Sequence, residues 1–233
     1  GTYIFDLNLQ QDRLSFSCVD GFLSPDGSKL LCFNYGSAGS PIALKIFDPK
    51  NEFQQISAIK SSGYNFQKYF FSEQSNGIFY TLADSYPTYS LNLHYFDLAT
   101  QEDTVLVSKV DEYVSDEALS PKNKFYVLGY LDKGLKIIDL QTKKEKDTDV
   151  IQGQLNDFSF STDEKYVKAS VYEKLENGVY SNSNRIVIFD LASGKVVKTV
   201  IENSKIFDSY FVPNKNQLIL KLDAEGTIKV IDL

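Results

Sequence analysis

A short apolar run closed by aspartate recurs six times along this chain of 233 residues. The copies are Tyr3-Ile4-Phe5-Asp6, Lys45-Ile46-Phe47-Asp48, His94-Tyr95-Phe96-Asp97, Lys136-Ile137-Ile138-Asp139, Ile186-Val187-Ile188-Phe189-Asp190 and Lys229-Val230-Ile231-Asp232. Successive aspartates are 42, 49, 42, 51 and 42 positions apart. Leucine follows the aspartate in five copies and Pro49 in the second. A period of this length marks a repeat architecture, in which each unit buries its apolar face by stacking on its neighbours.

A second motif lies upstream of the later copies. Ser24-Pro25-Asp26-Gly27, Ser120-Pro121-Lys122-Asn123, Ser161-Thr162-Asp163-Glu164 and Pro213-Asn214-Lys215-Asn216 each precede a short apolar run, and Ser72-Glu73-Gln74-Ser75-Asn76-Gly77 is a looser version. Pro fixes φ, Asp and Asn bond their own backbone, and Gly tolerates positive φ, so each segment predicts a hairpin turn. One unit therefore reads as strand a, turn, strand b, variable loop, strand c ending in Asp-Leu, polar turn, strand d. Phe and Tyr, 17 and 15 in number, suit strands.

This order of elements resembles the WD40 and WD40-like β-propeller repeat; Asp223-Ala224-Glu225-Gly226-Thr227-Ile228-Lys229-Val230-Ile231-Asp232-Leu233 is the best copy. The resemblance implies an all-β propeller of four-stranded antiparallel blades. Departures mark a divergent member. Tryptophan is absent, the Gly-His pair is missing and His94 is the sole histidine, so the buried His–Asp network of standard blades is not expected.

Blades are expected near residues 18–59, 66–108, 114–151 and 155–201, with a three-stranded fifth at 206–233 and further strands within 2–17. Residues 1–233 are thus one propeller domain or a propeller segment. A strand at residues 13–17 laid against the last strand c would close a five-bladed ring and leave the strand at 2–6 in surplus. That surplus, with the absence of methionine, favours a piece of a larger ring, of roughly six to eight blades.

The formal net charge of −7 disfavours nucleic-acid binding, because an acidic surface repels phosphates. Lys143, Lys144 and Lys146 alternate with Glu145 and Asp147 and read as a solvated turn. Cys18 and Cys32 lie on consecutive predicted strands. A single bridge between them is open, but buried free thiols are the expected state. No apolar stretch approaches the roughly 18 residues of a membrane span, and no signal peptide is visible. No Asn-x-Ser/Thr sequon occurs, and a cytoplasmic location is expected.

Catalytic ingredients are sparse. A Ser-His-Asp triad would need His94, which lies inside a predicted strand, and no nucleophile elbow, Walker loop or dinucleotide fingerprint occurs. One His and two unclustered Cys argue against zinc. Asp111, Glu112, Asp116 and Glu117 lack the EF-hand spacing and its glycine. No catalytic residue, metal or cofactor is expected.

The informative feature is uneven loop length. The b–c loops at 132–134 and 223–226 are short; those at 34–41, 84–89 and 173–184 are long and carry Tyr35, Tyr86, Tyr89 and Tyr180 among Ser, Gly and Asn. In a propeller these loops emerge on one face together with the d–a connections. Tyrosine among small polar residues suits recognition, although surface loops also tolerate insertion without function. The expectation is a non-enzymatic interaction module for a protein or peptide partner, without membrane insertion and with its oligomeric state open. Two alternatives are a propeller accompanying a prolyl-oligopeptidase or dipeptidyl-peptidase-like hydrolase, and a TolB-like periplasmic propeller.

Overall fold

The structure is a computed structural model that describes all residues except 1, 7–10, 17, 35–41, 62–63, 85–89, 111–112, 175, 177, 179 and 223–225. It divides into two compact units, Gly1–Asp111 and Glu112–Leu233. In the first, β1 (Thr2–Asp6) pairs antiparallel with β2 (Gln11–Phe16). A first four-stranded sheet follows, made of β3 (Asp20–Leu23), β4 (Leu30–Asn34), β5 (Ile42–Asp48) and β6 (Gln54–Ser61). A second contains β7 (Tyr64–Phe71), β8 (Gly77–Asp84), β9 (Leu91–Asp97) and β10 (Asp103–Val110).

The other unit holds a third sheet of β11 (Val114–Leu119), β12 (Phe125–Tyr130), β13 (Gly134–Asp139) and β14 (Glu145–Asp147). The fourth comprises β15 (Gln154–Phe160), β16 (Tyr166–Lys174), β17 (Tyr180–Asp190) and β18 (Val196–Ile201). The fifth has three strands, β19 (Ile206–Phe211), β20 (Gln217–Leu222) and β21 (Thr227–Asp232). Each of these sheets is an antiparallel meander in chain order, and the described residues contain no α-helix.

All six repeated aspartates are the last residue of a strand. The reason is local. Asp139 Oδ1 accepts the amides of Gln141 and Thr142 at 2.9 and 2.8 Å, while its carbonyl accepts the amide of Lys143. Asp97 repeats this with Ala99, Thr100 and Gln101; Asp190 does so with Ser193 and Gly194. Gln101, Lys143 and Gly194 take the positive φ that tightens each turn. The leucine after the aspartate serves a different purpose. The amides of Leu98, Leu140, Leu191 and Leu233 donate to Asn76, Lys124, Lys165 and Asn216 in the preceding a–b turn. Pro49 occupies that position in the first sheet and has no N–H to give.

Four of the five a–b turns begin with a buried serine, and the fifth begins with Val212. Ser161 Oγ donates to Asp163 Oδ1 at 2.6 Å and accepts the amide of Tyr166 at 2.9 Å; Ser24 and Ser120 likewise accept Lys29 and Phe125. Neighbouring turns are also joined. The amide of Asp26 donates to Ser75 Oγ at 3.2 Å, and that of Lys122 to Glu164 Oε1 at 2.6 Å.

These bonds favour the ionised carboxylates, so Asp97, Asp139, Asp163 and Asp190 titrate below the usual range. Backbone amides are the main cause for Asp97 and Asp139, and serine hydroxyls for Asp163 and Asp190. A carboxyl group lowered in the fold adds stability above its unfolded pKa and forfeits it as pH falls through the folded value. Urea midpoints are therefore expected to hold at neutral pH and to drop once pH goes below about 4. Asp139→Asn with Asp190→Asn should flatten that drop.

Apolar cores lie between neighbouring sheets inside each unit. Leu31, Leu44 and Ile46 of the first sheet meet Phe66, Ile78 and Phe96 of the second. Val127, Leu135 and Ile137 of the third meet Leu155, Val167 and Phe189 of the fourth, whose other face packs Ile186 and Ile188 on Leu218 and Leu220 of the fifth. The thiols depart from expectation. Cys18 and Cys32 form a disulfide with Cα atoms 5.6 Å apart, not two free thiols. The hairpin from strand a to strand b, where Val19 N bonds Phe33 O at 2.9 Å, brings them within reach.

Candidate functional site

In the second unit, β16 and β17 run on past their neighbours. The pairing of β15 with β16 begins at Gln154↔Tyr172 and that of β17 with β18 ends at Arg185↔Ile201, whereas β16 and β17 pair onward through Glu173↔Ser181 to Lys174↔Tyr180. The result is a two-stranded arm; Glu202 N still bonds Asn184 O at 3.0 Å, and beyond Asn184 and Tyr172 no third strand pairs with it among the described residues. Beside it lies a groove of about 300 Å³. The arm supplies Glu173, Lys174, Tyr180 and Arg185; Asp132 comes from the b–c turn of the third sheet, and Gln152 and Gly153 from the connection between the two sheets.

The floor is tied together by backbone bonds. Gly153 N donates to Asp132 Oδ1 at 2.7 Å, and Asp132 N returns a bond to Gly153 O at 3.0 Å. Gly153 has φ +108°, and a Cβ there would sit 2.8 Å from the carbonyl oxygen of Tyr172, so only glycine fits without displacement. Arg185 Nη2 donates to Gln152 O at 2.5 Å and lies 3.5 Å from Glu173 Oε1. The guanidinium thus fixes the arm to the connection.

The first unit has a groove at the same end of its sheets, about 430 Å³ in volume. Phe33 and Ile42 flank the b–c loop of 35–41, and Val19, Phe66 and Tyr69 complete the wall. Phe33 stacks on Tyr69 with centroids 5.6 Å apart, and Tyr69 Oη donates to Asp20 Oδ2 at 3.0 Å. Val19 is 57% exposed.

Several other charged groups are tied into the fold. Asp157 N donates to Asp116 Oδ2 at 2.9 Å, and Tyr172 Oη donates to Asp157 Oδ2 at 2.9 Å. Burial, then this carboxylate, pushes the Tyr172 phenol up to about 12. Lys168 is 4% exposed; burial lowers its pKa against the pull of Asp157 and Asp208. His94 Nδ1 lies 2.9 Å from Asp103 Oδ2 and its ring stacks on Tyr80, 4.9 Å between centroids. The Asp111, Glu112, Asp116 and Glu117 run divides. Asp111 and Glu112 lie outside the described residues; Asp116 bonds the fourth sheet, and Glu117 is buried and accepts Tyr126 Oη.

Of the four tyrosines expected at a binding face, Tyr180 lines the groove of the second unit. Tyr35, Tyr86 and Tyr89 lie outside the described residues. Sequence reasoning did not find Gly153 or Arg185. A lone Gly in a connection and an Arg at the head of a repeated strand carry no periodic signal; tertiary packing alone brings them to Asp132.

No family model matches the chain, and no curated protein matches it. Solved structures do. The chain is similar to hydrazine synthase of Kuenenia stuttgartiensis, at 16% identity and a TM-score of 0.66, over 99% of this chain and 70% of that one. It is similar to a chain in the crystal structure of the mitotic checkpoint complex, at 10% identity and a TM-score of 0.65, over 99% and 67% respectively. Both neighbours are propeller folds. The chain has the β-propeller fold, built of four-stranded antiparallel blades.

Proposed function

We propose that this chain is a non-enzymatic interaction module of the divergent WD40-like kind, which presents its b–c loop face to a protein or peptide partner. The observation that carries the reading is the groove beside the β16–β17 arm, where Tyr180 lines a wall over a floor bonded through Asp132 and Gly153. A propeller-type neighbour within a multiprotein complex is consistent with it. The test replaces Tyr86, Tyr89 and Tyr180 together with alanine and measures partner capture by the immobilised chain. Capture is expected to fall about tenfold or more, as for loss of aromatic anchors. Undiminished capture with an unchanged melting temperature sets the reading aside.

The Cys18–Cys32 bridge favours a second reading on location. Disulfides persist in oxidising compartments, which suits an exported propeller of the TolB-like kind better than a cytoplasmic one. Thiol titration in denaturant is expected to find no free thiol in protein recovered from an oxidising compartment. Two reactive thiols there would return the chain to the cytoplasmic reading.

A further inference from the structure

We propose that the groove beside the β16–β17 arm takes an acidic peptide segment, an assignment that rests on the interaction reading above. The groove's own carboxylates are already engaged in building it. Asp132 Oδ1 accepts Gly153 N at 2.7 Å, and Glu173 faces the Arg185 guanidinium at 3.5 Å. Arg185 is in turn directed at the Gln152 carbonyl. Lys174 is different. It is exposed, it is the direct cross-strand partner of Tyr180, and among the described residues neither side chain has a hydrogen-bond partner. The uncommitted cation of the groove is therefore the Lys174 ammonium, a donor that calls for an acceptor-only, anionic side chain, while the Tyr180 phenol and the Gln152 carboxamide can donate or accept beside it.

The backbone favours a peptide as the carrier of that carboxylate. Beyond Gln154↔Tyr172, at Glu173 and Lys174, the edge of β16 that faces the groove has no strand beside it among the described residues. An extended segment laid there continues the sheet and satisfies peptide groups, as in strand addition. The volume of about 300 Å³ is at the low end for small-molecule pockets and accommodates the side chains of a short segment. In a chain of net charge −7 a lysine at this position also sets direction: the general field disfavours an acidic segment, and Lys174 offsets that repulsion at the groove.

The experiment uses the whole chain and two fluorescein-labelled peptides of equal length and equal Tyr and Leu content, one carrying three Glu and the other three Lys. Binding is read by fluorescence anisotropy at low and moderate salt. The Glu peptide is expected to bind about fivefold or more tightly than the Lys peptide, with the difference shrinking as salt rises. Lys174→Glu should invert the preference and Lys174→Gln should abolish it. Tyr180→Ala should weaken the Glu peptide about tenfold without changing the sign of the preference. A preference for Glu that survives Lys174→Glu overturns the acidic-peptide assignment and leaves the interaction face standing. Binding of neither peptide, or binding indifferent to both Tyr180 and Lys174, overturns the assignment and this groove's place in the interaction face together.

Discussion

Phe189→Ala is expected to remove about 3–5 kcal/mol of folding stability, a large part of the 5–15 kcal/mol typical of a whole domain. Phe189 is fully buried and stands one residue before Asp190, at the end of β17. Its ring packs with Leu155, Val167 and Leu191 and with Val127 and Ile137 of the third sheet. Truncation loses the transfer free energy of the ring and leaves a cavity that two hydrogen-bonded sheets cannot collapse around. The same step loosens the seat of Asp190, whose carboxylate organises the following turn. Urea unfolding should show a lower midpoint with an unchanged slope. Val197→Ala is the control: Val197 is 48% exposed and its change should stay within about 0.5 kcal/mol. A loss under about 1 kcal/mol for Phe189→Ala would contradict the packing described.

Gly153→Val should cost about 3 kcal/mol or more, from strain at a positive φ and from overpacking. At φ +108° a Cβ would lie 2.8 Å from Tyr172 O and from Val171 Cγ1, and one of these is backbone that cannot swing aside. The displaced segment carries both hydrogen bonds to Asp132, so the groove floor goes with it. Two readouts should move together: the thermal midpoint falls, and binding at the Tyr180 face is lost even at temperatures where the variant is folded. Gly27→Ala offers the contrast. Its φ is +67°, but a Cβ there meets nothing within 4 Å, and a cost near 1 kcal/mol is expected.

The sequence makes the sheets legible for a reason that Asp139 illustrates. Its role is entirely local, with three turn amides within four residues converging on one side chain and one carbonyl. Such chemistry repeats wherever the residues repeat, and the strand ends follow. The serine that begins four of the a–b turns, Ser24, Ser72, Ser120 and Ser161, is legible on the same ground. The Cys18–Cys32 pair was not, because whether two cysteines on neighbouring strands bond depends on register at the start of β3, which composition does not reveal. The groove was legible by half. Loop length drew notice to Tyr180, which lines the groove, but Arg185, Gly153 and Asp132 are brought together across 53 positions of chain by packing that no local period encodes.

The bonds between neighbouring a–b turns carry a consequence for how freely the repeats can be exchanged. In each joined pair, an amide two places after the turn's first residue meets an acceptor three places after the first residue of the next turn: Asp26 with Ser75, Lys122 with Glu164. The fifth sheet has Lys215 at the accepting place, and an ammonium accepts nothing. The repeats are alike in outline yet carry an address. The second and fourth can follow another repeat as they stand, whereas the fifth would arrive with a donor where a donor already waits. The fourth and fifth sheets already pack through Ile186, Ile188, Leu218 and Leu220 with Lys215 at that place, so a chain rebuilt with its repeats shuffled is expected to keep its strands, hairpins and cores and to lose only these turn-to-turn bonds, and Lys215→Glu would give the fifth repeat an acceptor of its own.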